Sequence, residues 1–365
     1  MDINLKCIEC NKIYSEEEKR FLCDCGGLLQ VDFNPIFKIE NIKKDVKSIF
    51  RYREFIPIKK DVNIVSLKEG LTPLIKTKIN NLNIYLKLDF IFPTGSFKDR
   101  GSSVLISKVK ELGIDRIVED SSGNAGASIA AYSAIAKIKC DIFVPEKASP
   151  NKIKQIEFYG AKVHKISGTR EDVFKAAFEF SKKYYYASHF INPYFFQGTK
   201  TLIYEIFEDF NYSLPDTIIL PVGSGSSIIG LYIGLKDLKR SGFIKKFPKL
   251  IAVQSKKYAP IYEAFVKKED RVKKFKIGKT ILEGISNPEP LRGKEILKSI
   301  YETNGDVIIV SDKEAITSQK ELGKMGIFIE PTSAASFAGV KKYINGLKKD
   351  EKIVVVLTGS GLKSL

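Results

Sequence analysis

One lysine stands out because of its position in the chain. Lys98 lies in the stretch PTGSFKDRG, between a Gly-Ser turn and the start of a long helical pattern. A cation in the first turn of a helix meets the positive end of the helix dipole, which is unfavourable for it. Asp99 can compensate for that charge. The position alone therefore does not distinguish a reactive amine from an ordinary surface lysine.

Three further loops are rich in glycine and hydroxyl side chains, and each follows an apolar run. They are DSSGNAGAS (120–128), PVGSGSS (221–227) and TGSGLK (358–363). The amides of 121–125 can grip a carboxylate, or Ser122 and Asn124 can simply cap a helix. The bare amides and hydroxyls of the second loop suit a phosphate. The members of that phosphate loop are Gly223, Ser224, Gly225, Ser226 and Ser227.

A dinucleotide does not fit the second loop. Ile228 occupies the third glycine position of G-x-G-x-x-G, and no acidic residue closes a strand about 20 positions on. A lysine, a phosphate loop, an amide side chain and a terminal Thr/Ser loop are together what pyridoxal phosphate requires. In that hypothesis the lysine bonds to the cofactor, the amide holds its 3′-oxygen and a hydroxyl faces its ring nitrogen.

The segments around these loops alternate between strand and helix patterns. Short apolar runs begin near residues 83, 115, 140, 161, 216, 250, 306 and 352, and helical periodicity covers 98–112, 124–137, 171–183, 226–240 and 332–346. Strands that are apolar throughout indicate parallel sheets covered on both faces. We therefore expect an α/β fold of two doubly wound open parallel sheets with helices on both faces. In such folds, ligand loops lie at the carboxyl ends of the strands.

Four of the five cysteines cluster near the start of the chain. Cys7 and Cys10 form C-x-x-C, and Cys23 and Cys25 form C-x-C-G-G. In a cytoplasmic protein this pattern favours structural zinc over disulfides, and the glycines let the thiolates converge on a tetrahedral ion. The second pair is one residue shorter than usual, so a metal-free remnant stays an alternative. Cys140 is expected to be a buried strand residue.

The charge of +17, from 60 basic and 43 acidic residues, has two interpretations. The lysines are spread along the chain, which favours a solvated exterior over a nucleic-acid surface. A basic, zinc-knuckle nucleic-acid binder is the non-enzymatic alternative, but it leaves the four loops unexplained. We expect no nucleic-acid partner.

Two further features of composition limit the function. The only histidines, His164 and His189, lie in or beside apolar runs, and we expect both to be structural. No run approaches the roughly 18 apolar residues of a membrane span, and MDINLKCIECNK lacks a signal-peptide pattern. We expect a cytoplasmic protein with no membrane partner.

The chain resembles the threonine synthases, pyridoxal phosphate enzymes of fold type II (the tryptophan-synthase-β-like superfamily). The resemblance rests on EGLTPL at 69, PTGSFKDRG at 93, SSGNAGASIAAY at 121, NPYFFQGTKT at 192, PVGSGS at 221, EPTSAA at 330 and TGSGLK at 358. The cysteine knuckles also resemble those of archaeal-type members. The resemblance implies a homodimeric lyase of threonine biosynthesis. Such an enzyme converts O-phosphohomoserine and water into L-threonine and phosphate.

The resemblance also implies a role for each loop. Lys98 is the catalytic Schiff-base lysine, Phe97 lies against the cofactor and Thr358 faces the ring nitrogen. Asn124 pairs with the 3′-oxygen, and the phosphate loop holds the cofactor phosphate. The implied substrate-binding residues are Ser121, Ser122, Gly123, Asn124 and Ala125. The expected domains are a zinc-ribbon-like element at 1–34, a large cofactor domain at 35–88 plus 196–365, and a small domain at 89–195.

Departures from the family pattern concern the substrate side and the phosphate loop. Ala125 stands where a threonine often follows the loop asparagine, and the phosphate loop carries serines where asparagines are common. Tyr194 and Phe195 replace a His-Arg pair whose arginine grips the substrate phosphate. Lys200 or Arg100 are candidates to replace that arginine. The departures leave open another type II enzyme, either a serine/threonine dehydratase or a β-replacement synthase such as cysteate or cysteine synthase.

Overall fold

The computed structural model describes residues 3–80, 82–148, 150–276, 278–344, 347 and 351–364. The chain forms two compact units. The first comprises the chain up to Gly70 together with Lys98–Thr201, and the second comprises Leu71–Phe97 and the chain from Leu202 on. These units group residues 35–70 with the N-terminal element. The domain division expected from the sequence, with its boundaries at 88 and 195, stays a prediction.

The strands and helices alternate along most of the chain. The strands are β1 (Asn4–Cys7), β2 (Ile13–Ser15), β3 (Leu29–Asp32), β4 (Leu74–Ile79), β5 (Leu82–Lys87), β6 (Arg116–Glu119), β7 (Lys139–Pro145), β8 (Lys162–Ile166), β9 (Tyr185–Tyr186), β10 (Thr217–Pro221), β11 (Lys249–Ser255), β12 (Asp306–Val310) and β13 (Ile353–Val356). The α-helices are α1 (Lys98–Glu111), α2 (Asn124–Ala136), α3 (Pro150–Phe158), α4 (Arg170–Phe180), α5 (Pro193–Thr199), α6 (Thr201–Asp209), α7 (Ser226–Arg240), α8 (Pro260–Val266), α9 (Gly293–Glu302), α10 (Asp312–Lys324) and α11 (Pro331–Tyr343).

The first unit contains two sheets. A small antiparallel sheet has the order β2-β1-β3, and a parallel sheet has the order β8-β7-β6-β9. Successive residues of β6 enter different apolar clusters: Ile117 packs with α1 and α2 residues, whereas Val118 packs with α4 residues. Because alternate side chains of a strand point to opposite faces, both faces of the parallel sheet are covered. Leu5 and Leu29 of the small sheet belong to the same cluster as Ile117.

The second unit contains a six-stranded sheet of order β12-β11-β10-β13-β5-β4. All its neighbouring strands are parallel except β4, which pairs antiparallel with β5. β4, which was not among the predicted strands, therefore makes the expected parallel sheet a mixed one. β4 ends at Ile79 and β5 begins at Leu82, and so short a connection permits only an antiparallel pair.

The expected architecture is otherwise confirmed. Each of the eight apolar runs became a strand, and each of the five helical patterns became a helix with ends displaced by a few residues at most. Cys140 lies buried in β7, as expected. Among the described residues, no helix combines the length and apolar character needed to cross a membrane.

Candidate active site

Lys98 is the first residue of α1, and its surroundings are those of a packed site. Gly101, one turn further on, allows α5 to approach closely, since a Cβ there would lie 2.3 Å from the ring of Phe195. The Lys98 Nζ lies 5.7 Å from the centroid of that ring. Asp99 is buried and accepts a 2.6 Å hydrogen bond from the Ser128 hydroxyl on α2. Lys98 is thus half-buried beside the Phe195 ring.

The predicted substrate loop joins β6 to α2 in a tight turn. The Gly123 N–H donates to Ser121 Oγ at 3.2 Å, and a Cβ on Gly126 would lie 1.9 Å from the Ser121 carbonyl oxygen. Gly123 holds the N-cap position of α2, so the capping role considered for Ser122 or Asn124 is not observed. The helix therefore starts at Asn124 without a side-chain cap.

A cluster of charged side chains lies at the carboxyl edge of the four-stranded sheet. We call Glu119, Asp120, Arg170 and His189 the charged edge. The His189 Nδ1 lies 2.8 Å from Glu119 Oε1, and the His189 backbone N–H donates to Glu119 Oε2 at 3.1 Å. Arg170 Nη2 donates to Asp120 Oδ2 at 2.5 Å. Both carboxylates are fully buried.

Burial sets the protonation of the Glu119–His189 pair. It raises the pKa of Glu119 well above its usual value, and the neighbouring Asp120 raises it further. Burial also lowers the pKa of His189 well below its usual value, with the Lys98 and Arg170 cations acting in the same direction. The Lys98 charge therefore contributes to the lowered pKa of His189 at the charged edge.

The predicted phosphate loop follows β10 in the second unit. Gly225 has φ +86° and is the N-cap of α7, and a Cβ there would lie 2.4 Å from Ile296. A Cβ on Gly223 would lie 2.8 Å from the carbonyl oxygen of Gly284. Asn287 Nδ2 donates to Ser224 Oγ at 3.0 Å. Both glycines are required by close contacts, and α7 begins without a side-chain cap.

Thr358 follows β13, whose neighbour in the sheet is β10. Its N–H donates to Ser333 Oγ at 2.7 Å, and its carbonyl oxygen accepts from the Phe97 N–H at 3.0 Å. Within the described part of the chain, no hydrogen bond occupies the Thr358 hydroxyl. β10 and β13 are parallel, so Thr358 and the phosphate loop share the carboxyl edge of the six-stranded sheet. We call Gly223–Ser227 and Thr358–Gly361 together the small-residue edge.

Ser96 is a polar residue of this region that sequence reasoning did not assign. It pairs with Gly359 in an isolated β-bridge, and its hydroxyl is buried with no hydrogen-bond partner in the described part of the chain. A buried hydroxyl is normally paired, and its partner can be a water, an ion or a ligand. Ser96 lies within PTGSFKDRG, so its position was the available signal.

The residues present fit pyridoxal phosphate. The small-residue edge offers a helix start without a side-chain cap, hydroxyls, and two glycines whose absent side chains are required by contacts with Gly284 and Ile296. Thr358 offers a neutral hydroxyl on a backbone that is fixed on both sides. Ser96 offers a further unpaired hydroxyl.

The four N-terminal cysteines come together as predicted. Their sulfur atoms all lie within 4.8 Å of one another, with Cys7–Cys25 at 3.6 Å and Cys10–Cys23 at 3.5 Å. Zn–S bonds of about 2.3 Å in a tetrahedron separate the sulfurs by about 3.8 Å, close to these values. The N–H groups of Glu9 and Cys10 point at Cys7 Sγ. The cluster therefore fits a metal ion.

The structure places the two departures from the family pattern and the two candidate donors in the interior. Phe195 and Tyr194 are fully buried on α5, and Tyr194 packs under the Lys108 ammonium. Lys200 is buried with its Nζ 5.1 Å from the Phe33 ring centroid, and Arg100 is buried with Nη1 donating to Thr201 Oγ1. The charged edge, in contrast, was missed by sequence reasoning because its pairs join residues up to 70 positions apart.

Comparisons with known proteins agree with this geometry. The profile of the family described as "Pyridoxal-phosphate dependent enzyme" matches residues 65–359. The threonine synthase of Methanocaldococcus jannaschii is 38% identical, covering 98% of this chain and 92% of that protein. The threonine synthase of Methanosarcina acetivorans is 34% identical, covering 99% and 92%. A pyridoxal 5′-phosphate-dependent aspartate racemase has a similar fold, with a TM-score of 0.69 at 23% identity over 79% of this chain and 90% of that one.

Proposed function

The chain belongs to the pyridoxal-phosphate-dependent enzymes and, within them, to the threonine synthases, and we propose that it converts O-phosphohomoserine and water into L-threonine and phosphate. It is a pyridoxal-phosphate-dependent lyase. The observation that carries the proposed reaction is the similarity over nearly the whole chain, which includes both the Lys98 turn and the Thr358 loop.

The small-residue edge is proposed to bind the cofactor. The amides and hydroxyls of Gly223–Ser227 hold its phosphate, as a helix start suits an anion. The Thr358 hydroxyl faces the ring nitrogen, and Phe97, whose N–H bonds to the Thr358 carbonyl, lies against the ring. Asn124 donates to the 3′-oxygen. When bound, the cofactor supplies an electron sink for the bonds around the substrate's Cα and Cβ.

Lys98 is proposed to carry the proton transfers. Its Nζ would anchor the resting cofactor and would remove first the Cα proton and then a Cβ proton of the substrate. Loss of the Cβ proton lets the phosphate leave as the Cγ–O bond breaks, and the amine then returns one proton to Cγ and, after hydration, one to Cα. Water adds its hydroxyl at Cβ, and its remaining proton ends on the released phosphate. The amides of Ser121–Ala125 hold the substrate carboxylate. The Phe195 ring, packed on Gly101, keeps Lys98 on one side of an apolar wall.

Four further features are also proposed. The four cysteines hold a structural zinc ion, which the sulfur distances support. The protein is a homodimer and is cytoplasmic, both by resemblance to the threonine synthases. The lysine-rich charge is a solvated exterior.

Phe195 favours a second candidate function. A buried phenyl ring cannot donate to a substrate phosphate, so a dehydratase or a β-replacement synthase is consistent with that position. We propose to incubate the holoenzyme in parallel with O-phosphohomoserine, L-threonine and O-phosphoserine. Threonine and phosphate formed from the first substrate alone support the proposed reaction. Release of ammonia from threonine as the main activity would contradict the proposed reaction.

A further inference from the structure

The proposed function requires a hydrogen-bond donor for the substrate phosphate, and the inference below rests on that function. The candidates are donors near Lys98 that are not already paired within the protein. The Phe195 side chain has no donor, and its ring lies near both Lys98 and His189: the Lys98 Nζ is 5.7 Å, and the His189 ring 6.0 Å, from its centroid. The Lys200 Nζ lies over Phe33, and Arg100 donates to Thr201. All three side chains are fully buried, which makes them poor candidates to replace the missing arginine.

His189 has one nitrogen committed and one available. Glu119 contacts both its Nδ1 and its backbone N–H, which fixes the imidazole in one orientation. For Nε2 we find no hydrogen-bond partner in the described ranges, and the side chain keeps 11% of its surface exposed. A polar atom in this position gains from a ligand that can pair with it.

The position of His189 suits a group beyond the reacting carbons. His189 follows β9, and the substrate loop follows β6, its parallel neighbour in the sheet. The two segments therefore share one carboxyl edge. In O-phosphohomoserine four bonds separate Cα from phosphorus, so a phosphate must lie some distance from the amine that removes the Cα proton. The His189 ring lies 6.0 Å, and the Lys98 Nζ 5.7 Å, from the centroid of the same Phe195 ring, so His189 is in the neighbourhood of that amine.

The number of protons that the Glu119–His189 pair holds makes Nε2 of His189 a hydrogen-bond donor. Burial favours the net-neutral pair, which holds one proton between Glu119 and Nδ1 and a second on Nε2. The second proton is on Nε2 whether the first belongs to the carboxyl or to the ring. Lys98, Arg170 and Asp120 are the other charged groups that act on this pair, and Asp120 is already bonded to Arg170.

We propose that His189, oriented by Glu119, donates its Nε2–H to the phosphate group of the substrate. His189 is then a specificity-determining residue that distinguishes a γ-phosphorylated amino acid from an unphosphorylated one. Glu119 acts through His189 and is a positioning residue. The histidine takes over the function that the sequence lacks at position 195.

The two histidines of the chain make the proposal directly measurable. We suggest labelling the histidine rings of the holoenzyme and recording their NMR signals while inorganic phosphate is added, with chloride at equal ionic strength as the reference. The variants His189→Phe and His164→Phe assign the two signals. They are a matched pair, because each removes a ring that is bonded to a buried carboxylate. We expect phosphate to shift the His189 signal saturably and to leave the His164 signal unchanged.

Kinetics provide the second measurement. We expect His189→Phe to raise the KM for O-phosphohomoserine by about 10-fold or more, and to leave the Kd of L-threonine within about 2-fold. His164→Phe should change neither. Glu119→Gln should give a smaller rise in KM and a weaker NMR response to phosphate.

Several results would overturn the inference. A His189 signal that ignores phosphate would do so, as would equal losses for O-phosphohomoserine and threonine in His189→Phe. A larger rise in the KM for O-phosphohomoserine in Arg170→Gln than in His189→Phe would transfer the role to Arg170. If His189→Phe does not fold, the titration of the unchanged holoenzyme still decides. A phosphate response without turnover of O-phosphohomoserine contradicts the proposed reaction alone, whereas turnover without the response contradicts this inference alone.

Discussion

The carboxyl edges of the two parallel sheets are built from different kinds of residue. The small-residue edge of the six-stranded sheet consists of glycines and hydroxyl residues whose backbone is fixed by close contacts, such as Gly225 against Ile296. The charged edge of the four-stranded sheet consists of buried carboxylates paired with cations or histidine, such as Glu119 with His189. A backbone site holds a constant ligand, whereas titratable pairs move protons and select substrates. We infer that one edge binds the cofactor and the other handles the substrate.

Lys98→Ala provides the largest test of that division. Activity should fall by at least about 1,000-fold, because the variant has no amine to remove the Cα proton. The absorbance of lysine-bound cofactor should disappear. Cofactor should still bind non-covalently, since the small-residue edge is unchanged. Absorbance spectra and a cofactor titration measure the two effects separately.

Lys110→Ala, a surface change in the last turn of the same helix, is the control and should behave as the unaltered protein. A Lys98→Ala protein that kept the lysine-bound absorbance near neutral pH would contradict the role of Lys98.

A buried carboxyl in the first unit should make that unit sensitive to pH. Glu69 accepts a hydrogen bond from the Tyr132 hydroxyl on α2, and burial raises the pKa of Glu69 from 4.5 to about 7. Below pH 4.5 the folded and unfolded chains are both protonated. Between pH 4.5 and 7 the unfolded chain loses a proton that the folded protein keeps. The free energy of unfolding should therefore fall by about 3 kcal/mol as the pH rises through this window.

Glu69→Gln should not show that loss. Denaturant unfolding at pH 5, 6, 7 and 8 should show the variant gaining stability relative to the unaltered protein as pH rises. Glu157→Gln, which changes an exposed carboxyl on α3, should follow the unaltered protein at every pH. Parallel curves for the unaltered protein and Glu69→Gln would show that this carboxyl does not titrate in the window.

Gly225→Ala tests the small-residue edge by itself. The added Cβ would lie 2.4 Å from Ile296, and the alanine would have to adopt the φ of +86° that Gly225 has. Gly242→Ala is the matched control, because Gly242 has φ +81° and nothing within 4 Å of the added Cβ. The control should lose about 1 kcal/mol of stability from backbone strain alone, and Gly225→Ala about 2 kcal/mol more.

Cofactor affinity separates the two glycines further. Gly225→Ala should bind the cofactor about 10-fold more weakly, because overpacking moves the phosphate loop away from Ile296. Gly242→Ala should bind it normally. Equal cofactor affinities in the two variants would show that the phosphate loop does not bind the cofactor.

Much of the site was predictable because its loops carry local signals. PTGSFKDRG, SSGNAGAS, PVGSGSS and TGSGLK each combine small residues with a neighbouring strand or helix pattern. The C-x-x-C and C-x-C-G-G pairs likewise predicted the sulfur cluster. The charged edge carries no such signal. Glu119 and Asp120 close an ordinary strand, and Arg170 and His189 follow other strands.

The element types, the α/β class and the four loops were predictable from the sequence, because strand and helix periodicity and glycine-rich turns are local properties of a chain. Which side chains became neighbours depended on the tertiary structure. It buried Lys200 and Arg100, packed Phe195 on Gly101, and joined His189 to Glu119 across 70 positions. Periodicity predicts that a residue is buried, but the partner of a buried polar group depends on strand order and helix packing, which connect distant segments.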